Sequence, residues 1–424
     1  AAFLFGLAPA LHITRGPLFD ALKESQRIGS NRTQSIVLAA LVVVQLAFAL
    51  VLLTGASLMT QTLWNLHRID LGFRTNHLLT MMVPLSKQRY DSDEKLRNFY
   101  RETERQLKGL PGVRLTGFSS NLPFTSVGNT NSYSLEGEVL RPGEYRDALY
   151  REVSHDYLQT IEARLKNGRF FTDADRSTTL PVVVINEFMA KTHWPGQNPI
   201  GKRIQLGGEE QWRSVVGVIQ DIRERGLFLN MKPAIYVPIE QVSDPAASYL
   251  AINTEVEPGV LEISVRKMIQ SLDPDQPIAS VRTMADLVQM NTADRNREMV
   301  LLLVFASLSL VLSCIGVYGV LAYAVRQQTR EIGIRIALGA QPAAVIRKVV
   351  GYGTKLSSLG LAIGITLALI FCRVLTSLLY GVQPTAPAIY MSTSLILLIV
   401  AFIASYIPAR RASKIDPIVA LRQE

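Results

Sequence analysis

Residues 299–325 read MVLLLVFASLSLVLSCIGVYGVLAYAV, and the next thirty, 326–355, read RQQTREIGIRIALGAQPAAVIRKVVGYGTK. The first stretch has no Asp, Glu, Lys or Arg in 27 residues. About 20 apolar residues carry a helix across the hydrocarbon of a bilayer. The second stretch holds six basic residues, Arg326, Arg330, Arg335, Arg347, Lys348 and Lys355, against one acidic residue, Glu331. Lys and Arg collect on the cytoplasmic flank of a span, so the two stretches together set an orientation. Charge-free runs also cover 36–59, 356–372 and 388–407. A wholly soluble chain is excluded.

Only 19% of the 424 residues are charged, where a soluble chain carries about 25%. The formal charge is nevertheless +9, which raises nucleic acid as a partner. Its distribution argues against that. Segment 61–298 is balanced, with 29 basic and 30 acidic side chains, and the surplus lies in 12–35, 326–355 and 408–424, each beside an apolar run. The charge is a topology signal that puts all three flanks in the cytoplasm and 61–298 outside. The run 36–59 is too long for the core of a signal peptide, which spans about 7–15 residues.

These boundaries predict an α-helical membrane protein with a large α+β extracytoplasmic domain. Transmembrane helices are expected over 36–60, 299–325, 356–380 and 388–407, with an outer domain over 61–298. A loop over 326–355 and a tail over 408–424 are expected in the cytoplasm. Residues 1–24 align without a gap on 400–423, with Ala2/Ala401, Phe3/Phe402, Pro9/Pro408, Ala10/Ala409, Ala21/Ala420 and Leu22/Leu421 identical. Either two membrane exits share a composition, or 1–35 is the end of a preceding copy of the unit followed by a cytoplasmic linker. In the third span Gly360 and Gly364 form a G-x-x-x-G pair, which permits close helix packing in lipid.

The outer segment splits into three. Strands are expected at 78–85 and 113–120 around a helix over 92–108, with Asp91 and Glu94 spaced like a capping box. Leu96, Phe99, Tyr100, Thr103 and Leu107 share one face of that helix. The same order recurs at 249–253, a helix opened by Pro258 with Leu261, Val265, Met268 and Leu272 on its face, and 278–281. The two strand-helix-strand units predict one split α/β subdomain over about 75–125 and 246–285. Runs such as PVVVI (181–185), SVVGVI (214–219) and AIYVPI (234–239) predict a mostly β insert over about 126–245. Cys314 and Cys372 both lie in spans, so the outer domain relies on its own core rather than on disulfides.

Chemistry is harder to find. Gly196–Arg203, GQNPIGKR, comes within one residue of a phosphate-binding loop. Arg203 replaces the hydroxyl that would hold Mg²⁺, and Pro199 removes a backbone N–H, so a β-turn with a surface Lys/Arg pair is expected. Trp194 before it is expected to fill a core gap. His12, His67, His77, His155 and His193 are scattered without metal-ligand spacing. Asp173 and Asp175 read as a solvated turn rather than a catalytic acid pair. No G-x-S-x-G occurs.

The loop after residue 325 is more informative. Glu331 and Arg335 stand i, i+4 as a helix-stabilising pair, with Ile332, Ile336 and Leu338 as an apolar patch beside them. Gly339 suits a helix end and Pro342 the first turn of the next helix. On the residues alone two readings stay open: a helix lying on lipid headgroups, or a docking helix for a cytosolic partner.

R-E-I-G-I-R-x-A-L-G-A after a span, W-P-G-x-x-P-I-G-K-R-I (Trp194–Ile204) and the closing P-A-R-R-A-S-K-I-D-P-I-x-A-L-R together resemble MacB-like, FtsX-like ABC-transporter permeases. The resemblance runs from about residue 34 to 424. It implies four spans, a periplasmic core domain between the first two, and a bacterial inner-membrane location. It also implies a coupling helix against the ATPase, carried here by Arg330, Glu331, Ile332, Gly333, Arg335, Ile336, Leu338 and Gly339. The implied partners are a separate cytosolic ABC ATPase subunit, a second permease unit (a fused copy or a second chain), a periplasmic protein and membrane lipids. No cofactor, metal, nucleic acid or catalytic residue is expected. The alternatives are a membrane-anchored extracytoplasmic sensor or binding protein without transport activity, and a membrane-tethered enzyme. The enzyme requires a convergent polar site that no motif above supplies.

Overall fold

The structure, a computed structural model, describes residues 30–138, 145–338, 341–374 and 382–413. The chain divides into two compact units, an outer one from Leu66 to Arg295 and a membrane one that runs to Asn65 and resumes at Asn296. Residues 1–29, 375–381 and 414–424 fall outside the described residues. The reading of a preceding copy, the end of the third span and most of the basic tail lie there.

Helix α1 (Ser30–His67) leads into the outer unit. That unit opens with β1 (Leu78–Met82), α2 (Asp93–Lys108) and β2 (Val113–Ser119). Then come β3 (Thr130–Leu135), β4 (Asp147–Val153), the single turn α3 (Tyr157–Thr160), β5 (Leu165–Gly168) and β6 (Val182–Asn186). After α4 (Glu187–His193), β7 (Arg203–Leu206), β8 (Trp212–Ile219) and β9 (Ala234–Pro238) follow. The unit closes with β10 (Tyr249–Thr254), α5 (Pro258–Leu272) and β11 (Ala279–Thr283).

The two ends of this segment build one antiparallel sheet, ordered β11-β1-β10-β2, with Leu78 opposite Asn253 and Leu250 opposite Phe118. Alternation sorts its side chains, because successive residues of a strand face opposite sides. Leu79, Met81, Phe118, Leu250 and Ile252 pack under α2 and α5, while Leu78 and Ala251 turn to the other face, against Tyr157, Leu158 and Ile161. Ser92, not Asp91, caps α2: its side chain accepts from the Lys95 N–H, and Asp91 instead pairs with the Lys95 ammonium at 2.8 Å. A hydroxyl in extended backbone conformation one residue before the helix reaches the free N–H groups. On α5 the buried line is Leu261, Val265 and Ile269, with Met268 only half covered and Leu272 outside it. Steps of four hold that line over the sheet.

The segment between is mostly β. Hydrogen bonding runs β4-β3-β7-β8-β6-β9 and returns to β4, closing a ring. A closed ring leaves none of these strands as a bare edge. Strand β6 is buried along its whole length, since Val183 and Ile185 join one apolar cluster and Val182 and Val184 another. That is why VVVI shows no alternation in the sequence.

The membrane unit adds α6 (Met284–Gln327), α7 (Thr329–Ala337), α8 (Pro342–Val374) and α9 (Pro387–Ala412). Among the described residues, four helices, α1, α6, α8 and α9, are long and apolar enough to cross a membrane. The sequence places the start of the second span at 299, but α6 begins at Met284. Thr283 and Asp286 cap it reciprocally, each side chain accepting the other's backbone N–H at 3.1 Å. Helix α9 likewise passes the expected end at 407, carrying Pro408 inside it as far as Ala412. Val42, Leu46 and Leu50 of α1 form the core with Val317 and Leu321 of α6, Leu361 of α8, and Leu397 and Ala404 of α9. A methyl group on Gly360 would stand 2.8 Å from Cβ of Leu46, and one on Gly364 would stand 3.0 Å from Cβ of Leu50. Both glycines thus stand where α8 meets α1, with no free room for a side chain.

Candidate functional site

Helix α7 leaves α6 by a one-residue turn at Gln328, whose N–H donates to the carbonyls of Ala324 and Val325, both at 3.1 Å. The Thr329 hydroxyl donates back to Val325 at 3.0 Å, and the Ile332 N–H to the Gln328 carbonyl at 2.8 Å. These bonds hold α7 firmly against the end of α6.

The helix is two-sided. Ile332 is only 4% exposed and packs with Val325, Val345 and Ala412, and Gly333 beside it is also buried. The sequence groups Ile332 with Ile336 and Leu338 in one apolar patch, whereas in the structure Ile332 turns inward while Leu338 is exposed. The outward side carries Glu331, Ile334 (43% exposed), Arg335 and Leu338 (83% exposed). Glu331 pairs with Arg335 at 2.6 Å and with Lys348 of α8 at 3.4 Å. Arg330 and Ile336 lie in α7, but their side chains, like Gly339 as a whole, fall outside the described residues. Ile334 is an outward apolar residue outside the expected patch of Ile332, Ile336 and Leu338. Its signal is its position three residues after Glu331 and four before Leu338.

The other candidates lie in the outer unit. The turn resembling a phosphate loop has spent its backbone: Gly201, at φ +83°, donates to Val215 at 2.8 Å, and Lys202 donates to Pro199 at 3.1 Å. Arg203 is paired with Glu136, and Trp194 packs half-buried on a strand cluster. Asp173 is exposed, but Asp175 is buried, which corrects the solvated-turn reading. Burial pushes its carboxyl up, yet Arg169 at 2.7 and 2.8 Å and the Thr172 N–H at 2.8 Å hold it below the usual range. His155 pairs with Asp156 at 3.2 Å, and His193 meets the Tyr133 hydroxyl at 2.6 Å. Among the described residues, no three His, Cys, Asp or Glu side chains gather as metal ligands.

Three buried ionisable side chains carry no motif in the sequence. Arg151 on β4 meets Glu224 at 3.0 Å, and the Tyr236 hydroxyl donates to the same carboxylate at 2.8 Å. Glu104 sits on the buried face of α2. Burial pushes its carboxyl up to about 7 despite a hydrogen bond from Ser154, and its Oε1 has no partner. Position 104 extends the helix face at Tyr100 by four, and that spacing is the only sequence signal for it.

Comparison with known proteins covers both units. The family model described as MacB-like periplasmic core domain matches residues 39–272, and the one described as FtsX-like permease C-terminal matches 303–417. The pyoverdine export ATP-binding/permease protein PvdT of Pseudomonas syringae pv. syringae is 30% identical over 267 residues, 61% of this chain and 40% of that protein. The macrolide export ATP-binding/permease protein MacB of Nitrosomonas europaea is 27% identical over 282 residues, 62% of this chain and 40% of that protein. The chain therefore spans about two fifths of the length of these relatives. The crystal structure of the periplasmic region of MacB from Actinobacillus actinomycetemcomitans aligns with a TM-score of 0.36 at 16% identity, covering 53% of this chain and 97% of that one.

Proposed function

The chain belongs to the family of MacB-like and FtsX-like permeases, and on that premise we propose that it is the membrane part of an ABC-type exporter. In this reading ATP is bound and hydrolysed by a cytosolic ABC ATPase on a separate subunit, and this chain converts the cycle into movement of its periplasmic unit. A second permease unit completes the assembly. The relatives named above are called pyoverdine and macrolide exporters, which supports export as the direction of transport.

The observation that carries the proposal is the two-sided α7. Ile332 anchors it inward while Leu338, Ile334 and the Glu331–Arg335 pair face outward. A small apolar anchor rimmed by a few charges is the composition of a docking surface in which a few residues dominate the energy. Force applied to that surface reaches α6 through the Gln328 turn and α8 through Lys348 and Val345.

The paired replacement Ile334→Ser with Leu338→Ser tests this in membranes. Both side chains are exposed, so insertion and abundance stay at the parent level, while co-purification of the ATPase and ATP-dependent export drop by at least tenfold, the loss of one to two hot-spot contacts. Undiminished ATPase recovery and export in that variant would leave α7 as a helix resting on lipid.

A further inference from the structure

A second feature of the membrane unit is not absorbed by that function. Among the ends of α1, α6 and α8 and the inner side of α7 lies an open cavity of about 570 Å³. Arg347, Lys348 and Lys355 line it, together with Tyr352, and among the described residues no carboxylate does. Lys348 shares Glu331, but Arg347 and Lys355 have no acidic partner among the described residues.

The position of the cavity along the helices identifies what surrounds it. Lys355 is the last charge before the apolar run 356–372 of α8. Ser35, at the mouth on α1, immediately precedes the run 36–59, and Gln327 on α6 comes just after 299–325. Three helices pass from charge-bearing to charge-free at one level, which is the boundary between headgroups and hydrocarbon. The basic flanks mark this as the cytoplasmic end of the spans, where anionic lipids attract basic segments and basic pockets between spans take lipid headgroups.

The floor of the cavity has open space between two cations. Arg347, Gly351 and Lys355 are four residues apart and line one face of α8. A methyl group on Gly351 would meet nothing within 4 Å, so the glycine leaves open space between the two cations. Tyr352 beside it is an aromatic residue with one polar end, suited to the interface.

We propose that this cavity binds the phosphate headgroup of an anionic phospholipid of the cytoplasmic leaflet, with Arg347 and Lys355 holding the phosphate and Gly351 giving it room. The acyl chains lie along the apolar surface of α8 below Lys355. Ile332 of α7 lines the same cavity, so the bound headgroup braces the inner side of the loop helix. The proposal stands whether or not α7 docks an ATPase.

Native mass spectrometry of the detergent-purified chain, titrated with phosphatidylglycerol, tests it. The parent retains the lipid. The double variant Arg347→Gln/Lys355→Gln binds it about thirtyfold more weakly, the loss expected for two cations near a charged membrane surface. Gly351→Leu keeps every charge and fills the floor, and it also loses the lipid, which distinguishes a shaped site from diffuse attraction. Parent-level retention in both variants overturns the proposal. So does inorganic phosphate that displaces the lipid at equal concentration, because the site would then recognise a free anion and not a lipid.

Discussion

The outer and membrane units solve burial in opposite ways. The outer unit faces water and hides a charged pair, Arg151 and Glu224, and a lone carboxyl, Glu104, among apolar clusters. The membrane unit leaves Phe305, Leu308, Ile315 and Ile399 exposed and brings its helices together over glycine. In water the hydrophobic effect gathers the core and leaves enough stability to hold a few costly polar groups inside. In lipid that drive is absent, and contact depends on small residues and close packing. The same apolar content thus means a core in one unit and a solvated surface in the other.

The largest effect expected from this contrast lies in the outer unit. Arg151→Met leaves Glu224 buried without its cation and destabilises the unit by about 3–5 kcal/mol, seen as faster hydrogen exchange in β4 and β9. Adding Glu224→Leu to that variant restores most of the protection, because a buried pair replaced by apolar side chains is close to neutral. Slow exchange in the single variant would mean that the core tolerates a lone charge, and the contrast would fail.

A somewhat smaller effect is expected at Glu104. Its folded-state value of about 7 lies above the ordinary carboxylate range. Between the two the folded chain keeps a proton that the unfolded chain releases, so stability falls as pH rises from about 4.5 to 7 and then levels off. Glu104→Gln removes that loss and stabilises the outer unit at pH 8 by up to about 3 kcal/mol, with little change at pH 4. Thermal unfolding of the full chain at the two pH values checks it, and an equal shift at both would assign the gain to packing. His155 beside it is raised by its bond to Asp156 and slopes the same way, so the variant is read against the parent at each pH.

The smallest of the three concerns lipid-side packing. Gly364→Leu forces α8 off Leu50 and costs about 1–3 kcal/mol, read as a lower aggregation temperature in detergent. Gly319→Leu on α6 is the control, since a methyl group there meets nothing within 4 Å. Equal behaviour of the two variants would remove glycine packing as the basis of the membrane core.

Much of this was legible in the sequence because charge and period are local signals. The absence of charge marks the spans, and the strand-helix-strand order that recurs at 249–281, with the steps of four on α2, marks the split sheet and its cover. What was not legible depends on a neighbour distant in sequence. Ile332 reads as surface until Val345 and Ala412 are seen against it, and Asp175 reads as solvated until Arg169 folds back. Glu104 is a charge on an apolar face, and only the packing over α2 reveals that it stays inside. Helix α6 begins ahead of its charge-free run because Thr283-Met284-Ala285-Asp286 carries the capping spacing, a signal of polar residues and not of hydropathy.

The pairing of β1 with β10 and the closing of β4 on β9 join residues far apart along the chain. A chain that emerges from the membrane after α1 therefore holds β1, α2 and β2 without their partner strand until the whole insert has been delivered. Contacts of such long sequence separation make folding slow. For that interval the face of α2 with Phe99, Tyr100 and Leu107 lacks Leu250 and Ile252 of β10 and the neighbouring α5, and incompletely packed apolar surface of this kind is prone to association. The order of the strands thus leaves β1 and β2 unjoined until the chain has been delivered as far as Thr254.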